Sequence, residues 1–301
     1  MKRGGWIGWS AAGVGTLLAS LGAIGVVLAD SSLQLPPVQR QAASDALAER
    51  FARRRRAKWR SAELKAADGE RLSGWLFAPE YSNGSAVILL HGISGSRRTM
   101  LAYAAMLLRH GYVVLVLDSR GHGKSGGRLF TFGVLEKNDI ESWVAWLKQE
   151  TSAKKVFGLG ESMGAAILIQ AADCFDAIVA ECSFTSFRDI ACRHIKQKTG
   201  LTEWLAAAPV AAGFLAARLR HGVDLWKASP LECIAKTKTP ILLIHGGADT
   251  RIPPTHSQSL AAANPACAEL WLVDGASHTE AISTVPREFR RRVIEWFSSK
   301  L

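Results

Sequence analysis

No two of the five cysteines, Cys174, Cys182, Cys192, Cys233 and Cys267, stand in a C-x-x-C pair or at any regular spacing. That argues against a finger-type zinc site and a disulfide framework; buried single thiols are expected, an odd count leaves at least one thiol unpaired within the chain, and a single disulfide is the alternative for a domain outside the cytoplasm. Acidic residues are also short, 26 against 37 Lys and Arg, for a formal charge of +11 over 301 residues. Such an excess would suit nucleic acid or an anionic lipid surface. Its placement argues against nucleic acid: much of it is gathered in ERFARRRRAKWR, residues 49 to 60, and no aromatic-interleaved basic motif follows. The expectation is a solvated basic helix linking an anchor to a domain, with lipid headgroups in reach. Repeats and low-complexity blocks are absent too, which excludes a solenoid or a largely disordered chain.

Charge is missing altogether from WIGWSAAGVGTLLASLGAIGVVLA, residues 6 to 29. A helix of that length crosses a ~30 Å hydrocarbon layer, and the run exceeds the roughly 7 to 15 apolar residues of a signal peptide. An uncleaved transmembrane anchor is expected over 1–30; the alternative is a signal peptide cleaved after Ala29, leaving a secreted or periplasmic protein. Lys2 and Arg3 precede the run and only Arg40 follows within ~20 residues, which leaves the N-terminus in the cytoplasm and the bulk of the chain outside. A basic linker over 31–60 and a globular domain over 61–301 complete the division.

Within that domain, apolar runs alternate with longer amphipathic segments, the rhythm of an α/β sheet. RLSGWLFAP, residues 71 to 79, alternates with period two and reads as an edge strand. AVILLH, YVVLVLD, KVFGLG, AIVAEC and ILLIHG are continuous and read as central strands covered on both faces. Helices are expected over 97–110, 134–150 and 163–173, and a helical insertion without strands over 184–230. Ligand sites in such sheets lie outside the carboxyl ends of the strands.

There the chain holds Gly160-Glu161-Ser162-Met163-Gly164, a G-x-S-x-G between a predicted strand and a predicted helix. The glycines make room for a sharp turn that would present the Ser162 hydroxyl above the sheet. A serine hydroxyl needs a base, and the base needs a group to fix its tautomer. Asp249 in HGGADTRIPP and His278 in LVDGASHTE each follow their own strand, in the chain order serine, acid, histidine. Backbone amides of Ile93, after His91-Gly92, and of Met163 would stabilise an oxyanion. No cofactor motif and no metal-ligand cluster occurs, so neither is expected.

With HGISGS, DSRGHGKSGG, GESMG, HGGADTRIP and DGASH in place, the sequence resembles serine hydrolases of the α/β-hydrolase superfamily from about residue 65 onward. Within it the chain is similar to the membrane-associated Bem46-like hydrolases and the serine aminopeptidase-like acylhydrolases. The resemblance implies an α/β-hydrolase fold, a mostly parallel sheet flanked by helices, with the insertion over the active site. It implies Ser162 as nucleophile, Asp249 as acid, His278 as base, and a small or lipid-like acyl substrate cleaved through an acyl-enzyme. Asp118, Arg120 and His122 match a loop that shapes the rim. Amide cleavage by an aminopeptidase-like member is the alternative, with Glu203 as its candidate acid, and a non-catalytic scaffold is the remaining rival. Glu161 and Glu280 flank the site, either facing solvent or raising the basicity of His278, and Met100, Met106, Trp204 and Trp226 are candidates for an acyl pocket, with plain core as the alternative.

Overall fold

Alternation decides how the strands are buried. In Ser85–Leu90 (β3), Ala86, Ile88 and Leu90 face one apolar core while Val87 and Leu89 face another, because successive side chains point to opposite sides of the sheet. The computed structural model describes residues 26, 27, 33, 34, 42–200 and 202–301, without the side chain of residue 203. Among them, eight strands form one sheet in the order β1-β2-β4-β3-β5-β6-β7-β8. The others are β1 Lys58–Lys65, β2 Arg71–Ala78, β4 Val113–Asp118, β5 Lys155–Glu161, β6 Ala177–Glu181, β7 Ile241–Gly246 and β8 Ala268–Val273. β2 runs antiparallel to both neighbours and every pairing from β4 to β8 is parallel.

The helices are α1 Asp45–Arg55, α2 Leu101–Leu108, α3 Glu136–Thr151, α4 Met163–Gln170, α5 Phe187–Thr199, α6 Glu203–His221, α7 Pro230–Ile234, α8 Thr255–Ala263, α9 Ala281–Thr284 and α10 Pro286–Ser298. One core joins α3, α4 and the insertion to the sheet; the other joins α1, α2 and α10. α10 shows why: Phe289, Val293 and Phe297 are buried at four-residue spacing while its arginines stay outside. Among the described residues of the insertion, α5 to α7, no strand occurs. α5 starts where the Ser186 hydroxyl accepts the Asp189 amide at 3.1 Å and stops at Gly200 in the left-handed conformation.

Two expectations are corrected. The period-two segment 71–79 is not an edge: β2 lies between β1 and β4, and its residues 72–77 are all buried. The edge is β1, whose first three residues lie with α1 in the segment read as a basic linker, so the folded domain begins before residue 61. The reason lies in partners that composition does not reveal. Ala48 and Ala52 of α1 pack on the core while Arg53, Arg54 and Arg55 stay exposed, and Asp45 accepts the Trp75 indole N–H at 2.9 Å. Charged residues on β1 also suit a strand with one unpaired edge. Among the described residues no helix is long and apolar enough to cross a membrane; the run 6–29 lies outside them except for residues 26 and 27.

β4 lies on one side of β3 and β5 on the other, so the loops leaving β3 and β5 diverge and open a crevice at their carboxyl ends. GESMG and HGISGS both sit at that point.

Candidate active site

Ser162 stands between β5 and α4 with φ 53° and ψ −116°, a conformation that costs a non-glycine residue roughly 1 to 3 kcal/mol. Surrounding bonds hold it there: its amide donates to Glu181 O at 2.8 Å and its carbonyl accepts the Ala166 amide at 3.0 Å. The flanking glycines are required by space. A Cβ on Gly164 would lie 2.2 Å from Leu90 O, and one on Gly160 would lie 2.7 Å from the Gly164 carbonyl carbon.

His278, in the loop after β8, places Nε2 at 2.9 Å from Ser162 Oγ and Nδ1 at 2.6 Å from Asp249 Oδ2. A carboxylate only accepts, so Nδ1 carries the hydrogen and Nε2 is left to accept from the serine. Asp249 is itself held by the amides of Arg251 and Ile252, both at 2.9 Å, and by His245 Nε2 at 3.3 Å. Burial pushes its carboxyl up, but the bonds from His245, His278 and the Ile252 amide outweigh burial and hold it well below the usual carboxylate range. The structure thus brings the three residues together in one hydrogen-bonded chain.

The two amides expected to serve an oxyanion lie on segments that meet at Ser162. Met163 opens α4, where first-turn amides have no partner within the helix. The Gly92 carbonyl accepts from His91 Nδ1 at 2.7 Å and from the Gly95 amide at 2.9 Å. Across a trans peptide the Ile93 N–H points the opposite way, and a Cβ on Gly92 would lie 3.3 Å from Ser162 Cβ. His91 keeps its Nε2 as acceptor for the Ser119 amide at 3.2 Å, and burial pushes this ring down to about 3.

The DSRGHGKS loop braces this arrangement, as its resemblance to a structural loop implies. His122 Nε2 donates to Ile93 O at 2.7 Å, and Arg120 makes two bonds of 2.7 Å to Asp139 and one to Asp68. Asp118 accepts the amides of Arg97 at 2.9 Å and Lys124 at 2.8 Å. Arg97 Nε lies 2.9 Å from Asp118 Oδ2 without hydrogen-bond alignment, in a fully buried pair, and its guanidinium lies over Trp75.

Three residues near the site were missed from sequence: His245, Glu181 and Tyr103. Tyr103 Oη lies 2.9 Å from Glu181 Oε2 and 3.3 Å from Glu161 Oε2, and the Ala281 amide donates to Glu181 Oε1 at 3.1 Å. One hydroxyl donates to one carboxylate, so both contacts are satisfied when the pair holds a proton. Burial pushes Glu181 up to about 7, with Glu161 adding to the push. Glu161 therefore turns inward rather than to solvent, whereas Glu280 is exposed as expected. The signal for Glu181, as for His245, was an ionisable side chain ending an apolar strand run, on the side where the ligand crevice opens.

A cavity of about 750 Å³ opens beside Ser162. Phe130, Phe132, Phe184, Phe187 and Phe214 line it, with Phe132 stacked on Phe187 at 3.7 Å and Phe187 on Phe214 at 5.5 Å between ring centres. The four residues proposed for such a pocket are not in its wall. Met100 and Met106 belong to the core on the opposite face of the sheet, Trp204 is 74% exposed, and Trp226 meets Phe214 from behind at 5.0 Å. Glu203 begins α6, and its side chain lies outside the described residues. All five cysteines are free. Cys182, Asp249 and His278 bring ligand-type atoms within 4.8 Å of one another. Yet burial pushes the Cys182 thiol far up, its sulfur accepts the Thr279 amide at 3.3 Å, and His278 Nδ1 is committed to Asp249.

A sheet with a single antiparallel strand, a serine on a strained strand-to-helix turn, and acid and histidine on the two following strand ends define an α/β-hydrolase fold. The chain belongs to the alpha/beta hydrolase family, whose sequence profile matches residues 87–292. It is 30% identical over 242 residues to YqkD of Bacillus subtilis, spanning 78% of each chain. It is 27% identical over 218 residues to the alpha/beta hydrolase domain-containing protein WAV2 of Arabidopsis thaliana, covering 68% of this chain and 67% of that one. The esterase Pf2001 of Pyrococcus furiosus superposes with a TM-score of 0.68 at 28% identity, covering 82% of this chain and 95% of its own.

Proposed function

We propose that this hydrolase cleaves a carboxylic ester or thioester through an acyl-enzyme. Ser162 attacks the carbonyl carbon as His278 Nε2 takes its proton; His278 then returns that proton to the departing alcohol or thiol. Water, deprotonated by the same imidazole, attacks the acyl-serine and releases the acid. Asp249 holds the tautomer and stabilises the imidazolium, and the Ile93 and Met163 amides receive the oxyanion, each such donor being worth about 3 to 4 kcal/mol of barrier. The observation that carries this reading is the chain of 2.9 and 2.6 Å bonds from Ser162 through His278 to Asp249. The esterase Pf2001 among its structural relatives supports it. Among the described residues no acidic side chain lines the cavity, so nothing there favours the ammonium group of an aminopeptidase substrate.

A fluorophosphonate probe tests the proposal: it labels the wild-type chain and neither Ser162→Ala nor His278→Ala. Labelling that survives in folded Ser162→Ala would place the nucleophile elsewhere. The charge-free run of residues 6 to 29 supports membrane anchoring, in the manner of the Bem46-like hydrolases that the sequence resembles, with the hydrolase domain outside the cytoplasm. An anchored chain stays with the membrane pellet in alkaline carbonate, and release into the supernatant would refute the anchor.

A further inference from the structure

α5 runs along the cavity and changes character along its length. Its facing stripe begins with Phe187, Ile190 and Ala191 and ends with His194 and Lys198, spaced three and four residues apart on one helix face. At ~1.5 Å rise per residue the wall passes from aromatic to basic within roughly 16 Å. Two arginines join the basic end. Arg193 donates from Nη2 to Thr250 O at 3.2 Å, and its Nε is buried without a hydrogen-bond partner. Arg251 is two residues past Asp249 and exposed. The described lining residues thus include four basic side chains and no acidic one. Burial and Lys198 both push His194 below its ordinary value, so the lasting positive charge belongs to Arg193, Lys198 and Arg251.

The position of these cations relative to the chemistry is informative. On the acyl-enzyme reading, His278 hands its proton to the leaving half of the substrate, which must therefore lie on the side of the Asp249 and His278 loops. Arg251 is part of the Asp249 loop, and Arg193 is tied to the carbonyl of Thr250 in that same loop. The phenylalanine ladder is at the other end of the α5 stripe, where an acyl chain would be shielded from water. A solvated charge cluster on a basic protein would be expected to scatter acids among its bases, and this wall does not.

We propose that the cavity takes an amphiphilic ester or thioester whose apolar acyl chain lies along the phenylalanines and whose leaving half carries an anionic group, phosphate or carboxylate, held by Arg193, Lys198 and Arg251. The catalytic part of this statement rests on Ser162 being the nucleophile; the binding part is measurable without it.

The experiment uses the full chain carrying Ser162→Ala, in neutral detergent, titrated calorimetrically with hexyl phosphate, hexanoate and hexyl glucoside. At low salt at least one anionic amphiphile binds tenfold or more tightly than the glucoside, and the stronger of the two identifies the group recognised. Half-molar salt shrinks that advantage, as screening of partly exposed charges requires. Lys198→Gln and Arg251→Gln, both on exposed side chains and checked for unchanged melting, each lower the anionic-to-neutral affinity ratio at least fivefold. Equal binding of all three amphiphiles, or a ratio that the two substitutions leave unchanged, overturns the proposal. Because the Ser162→Ala chain turns nothing over, loss of probe labelling specificity would overturn the nucleophile assignment alone, and a flat calorimetric ratio would overturn anion recognition alone.

Discussion

At the scale of single residues, the site depends on groups whose states are set by their neighbours. On the proposed acyl-enzyme reading Asp249 fixes the tautomer of His278, so Asp249→Asn, which can present its amide N–H to Nδ1 and turn the ring to the wrong tautomer, should lower kcat for a short-chain p-nitrophenyl ester by about 10⁴. A loss of less than tenfold would mean that His278 is oriented by something else. Glu181 makes a prediction of a different kind. Its carboxyl ordinarily titrates near 4.5 and in the folded protein near about 7, because burial disfavours the charged form. The folded state therefore binds more protons in that window, and the contribution to stability is complete below about 4.5 and lost as pH rises through about 7. Glu181→Gln keeps the contact to Tyr103 with no charge to bury. Its melting temperature should accordingly fall less than the wild type's between about pH 5 and pH 8. Parallel melting curves for the two proteins across that range would show that Glu181 does not titrate there.

At the scale of elements, the sharp turn from β5 to α4 works only because α4 can lie against the end of β3. Gly164→Ala puts a methyl group where Leu90 O already stands, 2.2 Å away, and neither backbone can yield cheaply. The substitution should cost about 1 to 3 kcal/mol in denaturant melts, as overpacking does. It should also reduce probe labelling by displacing Ser162; unchanged stability with unchanged labelling would mean that the turn tolerates a wider approach. The turn and both glycines were legible in sequence because the constraint is local, confined to five residues. The edge of the sheet was not. Lys58, Trp59 and Arg60 read as the tail of a basic stretch, and only the pairing of 58–65 with β2 makes a strand of them. RLSGWLFA alternates like an edge yet is covered on both faces, by Asp45 and α1 on one side and by the core of α3 on the other.

At the scale of the whole molecule, a buried charge network ties distant segments to the site. Asp118 at the end of β4 holds the loop after β3 through the Arg97 amide and pairs with the Arg97 guanidinium, which lies on Trp75 of β2. Asp45 of α1 reaches the same Trp75 and also accepts Lys124 Nζ at 2.7 Å. The loop whose Ile93 amide is assigned to the oxyanion is thus braced from three sides. Asp118→Asn would leave the Arg97 cation buried with no carboxylate against it, which typically costs 3 to 5 kcal/mol. Urea titration checks the loss, and a change below 1 kcal/mol would mean that water or Asp45 neutralises Arg97.

Sequence by itself determined the sheet class, the sharp turn at Ser162 and the chain order of Ser162, Asp249 and His278 at successive strand ends. Each follows from a short stretch whose residue types are forced by local geometry or by which strand end they terminate. Only the tertiary structure decided which side chains line the cavity, that α1 and β1 belong to the domain, and that Glu181, Tyr103 and Glu161 meet behind Ser162. Those outcomes depend on contacts between residues far apart in the chain. Tyr103 and Glu181 are 78 positions apart, and Trp75 and Asp45 are 30 apart. Local pattern carries no information about such meetings, because burial, and with it the protonation and packing of each group, is set by whichever segment arrives on the other side.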